Sequence, residues 1–169
     1  MAVLIVGFAG AGKITLSRFA AEELGWNAID MDDLITERTG SSIPEIFTDK
    51  GEDGFRLVEK EVLSSLIHLK DAVIATGGGT PCFHGNMSRM NEHGLTIYLK
   101  VPVNVLFSRL KNDYLQRPLL ENVPPHDLEN FIINNLKSRE PFYQQAQFVY
   151  DPEMTSFRKL IDWIRQHHH

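Results

Sequence analysis

The residues from Val3 to Ile14 read VLIVGFAGAGKI, an apolar run followed at once by a glycine-rich turn. They match the pattern G-x-x-x-x-G-K-[ST] at every fixed position except the last, where Ile14 replaces Ser or Thr. The glycines let successive backbone N–H groups surround a polyphosphate, the following helix adds its positive end, and Lys13 reaches the terminal phosphates. Because the loop joins a buried-type strand to a helix, the sequence predicts a phosphate site rather than a turn that binds nothing. The residues predicted to bind the nucleotide are Gly10, Ala11, Gly12, Lys13, Ile14 and Thr15.

Strand and helix patterns alternate along the rest of the chain. Apolar runs predict further strands at 26–30, 72–76, 95–99 and 148–150, and helical spacing predicts helices at 16–24, 54–69, 103–111, 126–139 and 155–165. Glu140 and Pro141 are expected to break the helix at 126–139 from a short turn of helix beyond. The alternation indicates an α/β protein whose parallel sheet carries helices on both faces, with ligands at the carboxyl ends of the strands.

The composition excludes several classes of protein. The chain has 169 residues, 17 Lys+Arg against 22 Asp+Glu and a net charge of −5, which argues against a nucleic-acid or anionic-membrane partner. No apolar run approaches the roughly 18 residues of a membrane span. The single cysteine, Cys82, fits the reducing cytoplasm. We therefore expect a cytoplasmic monomer with one domain at 1–166, and residues 167–169 look like the remnant of a purification tag.

Ile14 leaves two interpretations open. The missing hydroxyl normally contacts Mg²⁺, so its loss indicates either an impaired nucleotide site or one that holds Mg²⁺ through phosphates and water. Thr15 lies about 100° further around the helix and is a doubtful substitute. Adenylate kinases also place a residue without a hydroxyl after the loop lysine and a threonine next, so the pattern remains compatible with catalysis.

Polar residues follow the next two predicted strands. Asp30 and Asp32 suit different tasks, one at a metal and one at an acceptor hydroxyl, although a helix N-cap supplied by Asp32 or Asp33 explains the segment equally well. Gly77-Gly78-Gly79 forms a second backbone-rich surface, for which close approach of a ligand is one reason.

Four arginines are candidate ligands for anions. Arg56, with Glu59 three residues on, is either a surface ion pair or a guanidinium oriented to grip a carboxylate. Arg139 is a second candidate for the carboxylate, and Arg117 is placed to stabilise a transferring phosphoryl group. Arg109 either stacks on an adenine or is an ordinary solvated helix residue.

Taken together, these motifs resemble the shikimate kinases over residues 3–151. The matching segments, in order, are GFAGAGKIT, Asp30-x-Asp32, GEDGFRLVE, TGGG, RPLL and Arg139-Glu140-Pro141-Phe142-Tyr143. The resemblance implies the P-loop, nucleoside-monophosphate-kinase-like fold, a three-layer α/β/α sandwich with a five-stranded parallel sheet in the order 2-3-1-4-5. It also implies a shikimate-binding insertion at 31–60 and a lid at 112–125.

The same resemblance implies roles for individual residues. Lys13, Asp32 and Arg117 are the catalytic residues it implies, with Asp32 close to the 3-hydroxyl that attacks ATP. Asp30 corresponds to the aspartate that holds Mg²⁺ through water. The implied shikimate ligands are Asp32, Arg56, Gly77, Gly78, Gly79 and Arg139, and the implied nucleotide ligands include Arg109 and Arg117.

The expected activity is ATP-dependent phosphorylation of shikimate with Mg²⁺ as cofactor. Two alternatives stay open at this point. One is a kinase of another small hydroxy acid such as gluconate, and the other is a catalytically impaired protein that still binds nucleotide or shikimate. Only Ile14 supports the second alternative.

Overall fold

A computed structural model describes residues 1–113, 117 and 120–169 of the chain. Short 3₁₀ helices in the described part of the chain include Thr80–Cys82 and Pro125–Asp127. The strands and α-helices follow in the order β1 Val3–Val6, α1 Lys13–Leu24, β2 Asn27–Asp30, α2 Met31–Thr39, α3 Ile43–Leu66, β3 Ala72–Ala75, α4 Asn86–His93, β4 Leu95–Leu99, α5 Val103–Asn112, α6 Leu128–Tyr143, β5 Phe148–Tyr150 and α7 Phe157–His167.

The strands form one parallel sheet in the order β2-β3-β1-β4-β5, which confirms the predicted topology. β1 lies between β3 and β4, with Ile5 opposite both Ala75 and Ile97. Every residue of β1, β3 and β4 is buried, as expected for central strands covered by helices on both faces. Since all the strands run the same way, the loops that follow β1, β2 and β3 meet at one edge of the sheet.

Local signals set the ends of several helices. Gly25 adopts φ 71° at the end of α1, a left-handed conformation that glycine reaches without strain. At the start of α3, Ser42 and Glu45 form a reciprocal capping box, with Pro44 in the first turn. α3 begins well before the helix predicted at 54–69 and kinks at Gly51, where φ is 70°. This segment carries Arg56 into the interior.

One expectation about the helices was wrong, and one helix was missed. α6 continues without a break through Pro141 to Tyr143. Pro141 removes only one N–H near the end of the helix, the carbonyl left without it belongs to the exposed Lys137, and burial of Tyr143 holds the last turn in place. α4 was not predicted, because its eight residues are mostly polar and only Met87 and Met90 pack into the core.

Within the residues described, no helix is both long and apolar enough to cross a membrane. α7 ends at His167, so it reaches into the segment 167–169 that the sequence assigns to a tag remnant.

Candidate active site

Two adjoining cavities lie at the carboxyl edge of the sheet, both open to solvent. The first, here called the loop cavity, has a volume of about 1810 Å³ and lies over the glycine-rich turn. The second, the acceptor cavity, has a volume of about 760 Å³ and lies between α3 and α6. Residues that line both are Ala9, Asp32, Gly77, Gly78 and Arg117. A group that moves from one cavity to the other passes these residues.

Lys13 closes the floor of the loop cavity. Its Nζ donates hydrogen bonds to the carbonyl oxygens of Gly7 at 2.9 Å and Phe8 at 3.0 Å. Burial lowers the pKa of the Lys13 ammonium to about 8, and the Asp32 carboxylate opposes part of that shift. A phosphate beside Nζ would favour the charged form of Lys13, so binding of an anion and protonation of Lys13 support each other.

The loop has the backbone shape that its sequence predicts. Gly10 and Gly12 adopt φ values of 82° and 95°, which other residues reach only with strain. Arg109, on α5, donates from Nη1 to the carbonyl oxygens of Gly10 at 3.1 Å and Ala11 at 2.9 Å. Arg109 therefore braces the phosphate loop, while it also lines the loop cavity in which its adenine contact was predicted.

The structure supplies few protein ligands for Mg²⁺. Ile14 and Thr15 both line the loop cavity, and 41% of Ile14 is exposed there without any donor atom for a metal. Asp30 also lines this cavity, and one of its carboxylate oxygens accepts the Asp32 N–H at 3.0 Å. Three or more metal-binding side chains do not gather anywhere in residues 1–113, 117 or 120–169. The donor set fits an Mg²⁺ ion that keeps most of its ligands as water and phosphate oxygens.

Asp30 and Asp32 occupy different positions at the end of β2. The N-cap of α2 is Asp30, so assigning that role to Asp32 or Asp33 was wrong. Asp32 is left to face both cavities. Burial raises the pKa of the Asp32 carboxyl, the nearby Glu59 carboxylate raises it further, and Lys13 acts in the opposite direction. A carboxylate whose pKa is raised is a better proton acceptor for a hydroxyl.

Arg56 is the centre of a buried polar network. Only 2% of Arg56 and 1% of Glu59 are exposed, and Arg56 Nη1 donates to Glu59 Oε1 at 2.9 Å. The other oxygen of Glu59 accepts a hydrogen bond from Thr80 Oγ1 at 2.6 Å. Arg56 also reaches Glu52 at 3.2 Å, and its guanidinium lies 4.3 Å from the centre of the Phe83 ring. These contacts hold the guanidinium at the acceptor cavity, which excludes the interpretation of Arg56 as a surface ion pair.

The triple glycine is explained by close packing. A Cβ atom on Gly79 would lie 2.5 Å from Arg56 Nη2, and one on Gly77 would lie 2.8 Å from Glu59 Oε2. A Cβ on Gly78 would lie 3.1 Å from the backbone nitrogen of Ala9. The glycines therefore let the phosphate loop, the buried ion pair and the β3 loop approach each other closely.

α6 supplies the opposite wall of the acceptor cavity. Arg139 lines this cavity, and its guanidinium lies 5.7 Å from the centre of the Phe8 ring. One turn later, the fully buried Tyr143 donates a hydrogen bond from its hydroxyl to the Gly78 carbonyl at 2.5 Å. Arg56 and Arg139 thus face one space from two helices, as two ligands of one carboxylate require.

Arg117 lies at the boundary of the two cavities, 4.0 Å from Asp113. The lid predicted at 112–125 lies partly outside the described residues, since 114–116 and 118–119 are among the residues not described.

Sequence reasoning missed several residues of the site. Thr80 donates a hydrogen bond to the Glu59 carboxylate, and Tyr143 donates one to the Gly78 carbonyl. Both partners are distant in sequence, so no local pattern indicates these contacts. Glu59 was noticed only as the partner of Arg56. The apolar part of the acceptor cavity was also missed, and it consists of Phe8, Ile43, Phe47, Phe55, Leu110, Leu120 and Phe131. The helical spacing of Phe47 and Phe55 reads as ordinary core packing.

Comparisons with family profiles, with known sequences and with solved structures all point to the same family. A family profile described as shikimate kinase matches residues 9–166. A shikimate kinase from Phocaeicola vulgatus is 43% identical over 159 residues, covering 94% of this chain and 91% of the relative. The crystal structure of shikimate kinase from Bacteroides thetaiotaomicron has a TM-score of 0.85 and 40% identity, covering 98% of this chain and 94% of that one. Shikimate kinase from Acinetobacter baumannii in complex with shikimate has a TM-score of 0.86 and 36% identity, covering 98% and 90%.

Nucleotide affinity should depend on the charge of Lys13. Because the pKa of Lys13 is about 8, the ammonium loses its proton above that pH and its attraction for phosphate disappears. The dissociation constant of ADP, measured by calorimetry between pH 7 and 9.5, should be flat below pH 8 and rise above it by up to about tenfold per pH unit.

The control for this prediction is Lys13→Arg, whose guanidinium keeps its charge over the whole range. Its ADP affinity should not change above pH 8. If the ADP affinity of both proteins falls alike above pH 8, the titrating group is not Lys13.

Proposed function

The chain belongs to the shikimate kinase family, and we propose that it transfers the γ-phosphoryl group of ATP to the 3-hydroxyl of shikimate in its two adjoining cavities. The products are shikimate 3-phosphate and ADP, in a step of aromatic amino-acid biosynthesis. The observation that carries the proposal is the convergence of Arg56, Arg139 and Asp32 on one cavity that adjoins the phosphate loop.

The acceptor is held by complementary charge. Arg56 and Arg139 grip the shikimate carboxylate, and the Gly78 backbone lies against the ring. The apolar side chains of the cavity cover the ring carbons and exclude water. Asp32 then orients the 3-hydroxyl toward the loop cavity and accepts its proton, while the hydroxyl oxygen bonds to the γ-phosphorus and the bond to the β-phosphate oxygen breaks.

Lys13 and Arg117 stabilise the charge that develops on the transferring group. Lys13 contributes from the loop below the phosphates, and Arg117 contributes from the boundary between the cavities. Because much of the wall of the adjoining acceptor cavity is apolar, water screens these charges less than it does in bulk solvent. Positioning and electrostatics therefore supply most of the catalysis.

Mg²⁺ is the cofactor of the proposed reaction. When bound, it neutralises charge on the β- and γ-phosphate oxygens. Asp30 would hold the ion through a water molecule, and phosphate oxygens and further water molecules would be its other ligands. Thr15 is a further hydroxyl in the loop cavity, and Ile14 contributes no ligand.

We further propose a cytoplasmic monomer. The residues of both cavities come from one chain, and the reaction consumes ATP, which the cytoplasm supplies. Cys82 is a free thiol, as a reducing compartment favours. The single domain at 1–166, the acceptor-binding insertion at 31–60 and the lid at 112–125 are parts of this proposal, and so is the reading of 167–169 as a tag remnant.

The direct test is a coupled assay of ADP release with ATP, Mg²⁺ and shikimate. We expect turnover that depends on shikimate and exceeds turnover with gluconate or other sugar acids, since two arginines and a short apolar cavity suit a cyclic carboxylate. Binding of both ligands without phosphoryl transfer would instead establish the impaired homologue. The names of the relatives do not support a gluconate kinase.

Arg56→Lys should weaken the binding of shikimate without weakening that of ATP. Lysine keeps a positive charge beside Glu59 but loses the planar fork that contacts two acceptors. We expect the KM for shikimate to rise by roughly 10- to 100-fold, from the loss of charge-assisted hydrogen bonds. The KM for ATP should change less than threefold. An equal rise in both constants would remove Arg56 from the acceptor site, and Arg165→Ala, at an exposed pair with Glu23, serves as the control.

Ile14→Thr should reduce the concentration of Mg²⁺ needed for activity. The substitution restores a hydroxyl at the first residue after Lys13, and one added ligand interaction should lower the half-saturating Mg²⁺ concentration by about 3- to 10-fold. Ile14→Val is the matched control, because valine has the shape of threonine without the hydroxyl. The same Mg²⁺ dependence in both variants would show that position 14 has no contact with the metal.

A further inference from the structure

Asn135 differs from every other polar side chain of the acceptor cavity that the structure describes. The remaining lining residues with polar side chains are charged, and they are Asp32, Arg56, Glu59, Arg117 and Arg139. Asn135 is neutral, and the proposed reaction does not use it. Its presence in an otherwise apolar or charged wall therefore needs a separate explanation.

The orientation of the Asn135 amide is fixed by α6 itself. Asn135 Nδ2 donates a hydrogen bond to the Phe131 carbonyl, one turn earlier, at 2.9 Å. A carbonyl oxygen accepts hydrogen bonds and cannot donate them, so the nitrogen must be the atom that faces Phe131. Asn135 Oδ1 is consequently an oriented acceptor, and no donor within the described part of the chain reaches it.

The position of Asn135 relates it to the bound acid. Asn135 precedes Arg139 by one helical turn, and both side chains line the acceptor cavity with Phe131. A ligand whose carboxylate contacts Arg139 therefore presents another part of its ring to Asn135. Shikimate carries hydroxyl groups at ring positions 3, 4 and 5, and only the 3-hydroxyl reacts.

The unreacting hydroxyls have few other acceptors. Both oxygens of Glu59 already accept hydrogen bonds, from Arg56 and from Thr80. Asp32 is engaged with the 3-hydroxyl in the proposed reaction, and the arginines only donate. These carboxylates already have partners or a task, whereas Asn135 Oδ1 is a neutral side-chain acceptor that receives no hydrogen bond from the described residues.

We propose that Asn135 Oδ1 accepts a hydrogen bond from the 4- or 5-hydroxyl of shikimate, which makes Asn135 a specificity-determining residue. The inference rests on the proposed function and adds a contact that selects among cyclic hydroxy acids. A site with an oriented polar group discriminates strongly against an analogue that lacks the matching group.

The test measures binding, which does not depend on turnover. Calorimetry gives the dissociation constants of shikimate, 4-deoxyshikimate and 5-deoxyshikimate for the wild type, for Asn135→Leu and for Asn134→Leu. Leucine is close to asparagine in shape, and Asn134 is the exposed neighbour on α6, so Asn134→Leu controls for the added leucine. Thermal unfolding verifies that both variants are folded, and the wild-type comparison with the two analogues needs no variant.

The wild type should bind one of the two deoxy analogues about tenfold more weakly than shikimate. Asn135→Leu should abolish that difference, leave ADP affinity unchanged and bind shikimate as weakly as the wild type binds the analogue. Asn134→Leu should behave as the wild type.

Two outcomes would overturn the inference in distinguishable ways. If shikimate binds and Asn135→Leu keeps the full preference over both analogues, Asn135 does not read a hydroxyl, while the proposed function stands. If the wild type itself shows no preference over either analogue, the contact does not exist. Failure of the wild type to bind shikimate at all would overturn the proposed function together with the inference.

Discussion

The buried ion pair between Arg56 and Glu59 is the constraint on which the rest of the site depends. Neither charge can stay in the interior alone, because an unpaired buried charge costs about 3–5 kcal/mol. The pair therefore requires Thr80 to satisfy the second oxygen of Glu59 and requires Gly79 to leave room for the guanidinium. In return, the guanidinium is held rigidly at the wall where a carboxylate would bind, without further loss of side-chain entropy on binding.

The parallel sheet places the Arg56–Glu59 pair close to the phosphate loop. Asp30 lies opposite Ala75 in the register of β2 and β3, so the turn after β2 and the glycines after β3 begin at the same height. β1 ends beside them and leads into the phosphate loop. The phosphate loop and the glycines approach so closely that a Cβ atom added to Gly78 would lie only 3.1 Å from Ala9 N. The strand register therefore places the phosphate loop directly beside the acceptor cavity.

The sequence was sufficient for the topology and for the residues with strong local signals. Alternating apolar runs and the glycine loop predicted a parallel sheet, and the resemblance to a known family supplied the order of its strands. The predicted break at Pro141 was wrong, because burial of Tyr143 outweighs the tendency of proline to interrupt a helix. Thr80 and Asn135 were missed because their roles depend on partners or ligands that no single segment contains. Tertiary contacts, rather than composition, decide such residues.

The electrostatics of the cleft differ from those of the chain as a whole. A net charge of −5 disfavours anionic polymers, yet Lys13, Arg117 and Arg139 lie close enough for both arginines to lower the pKa of the lysine. Such mutual repulsion is relieved when phosphate and carboxylate groups enter. Two carboxylates balance part of this charge inside the protein, since Asp32 raises the pKa of Lys13 and Glu59 is paired with Arg56. Substrate anions therefore complete an arrangement of charges that the protein alone leaves unbalanced.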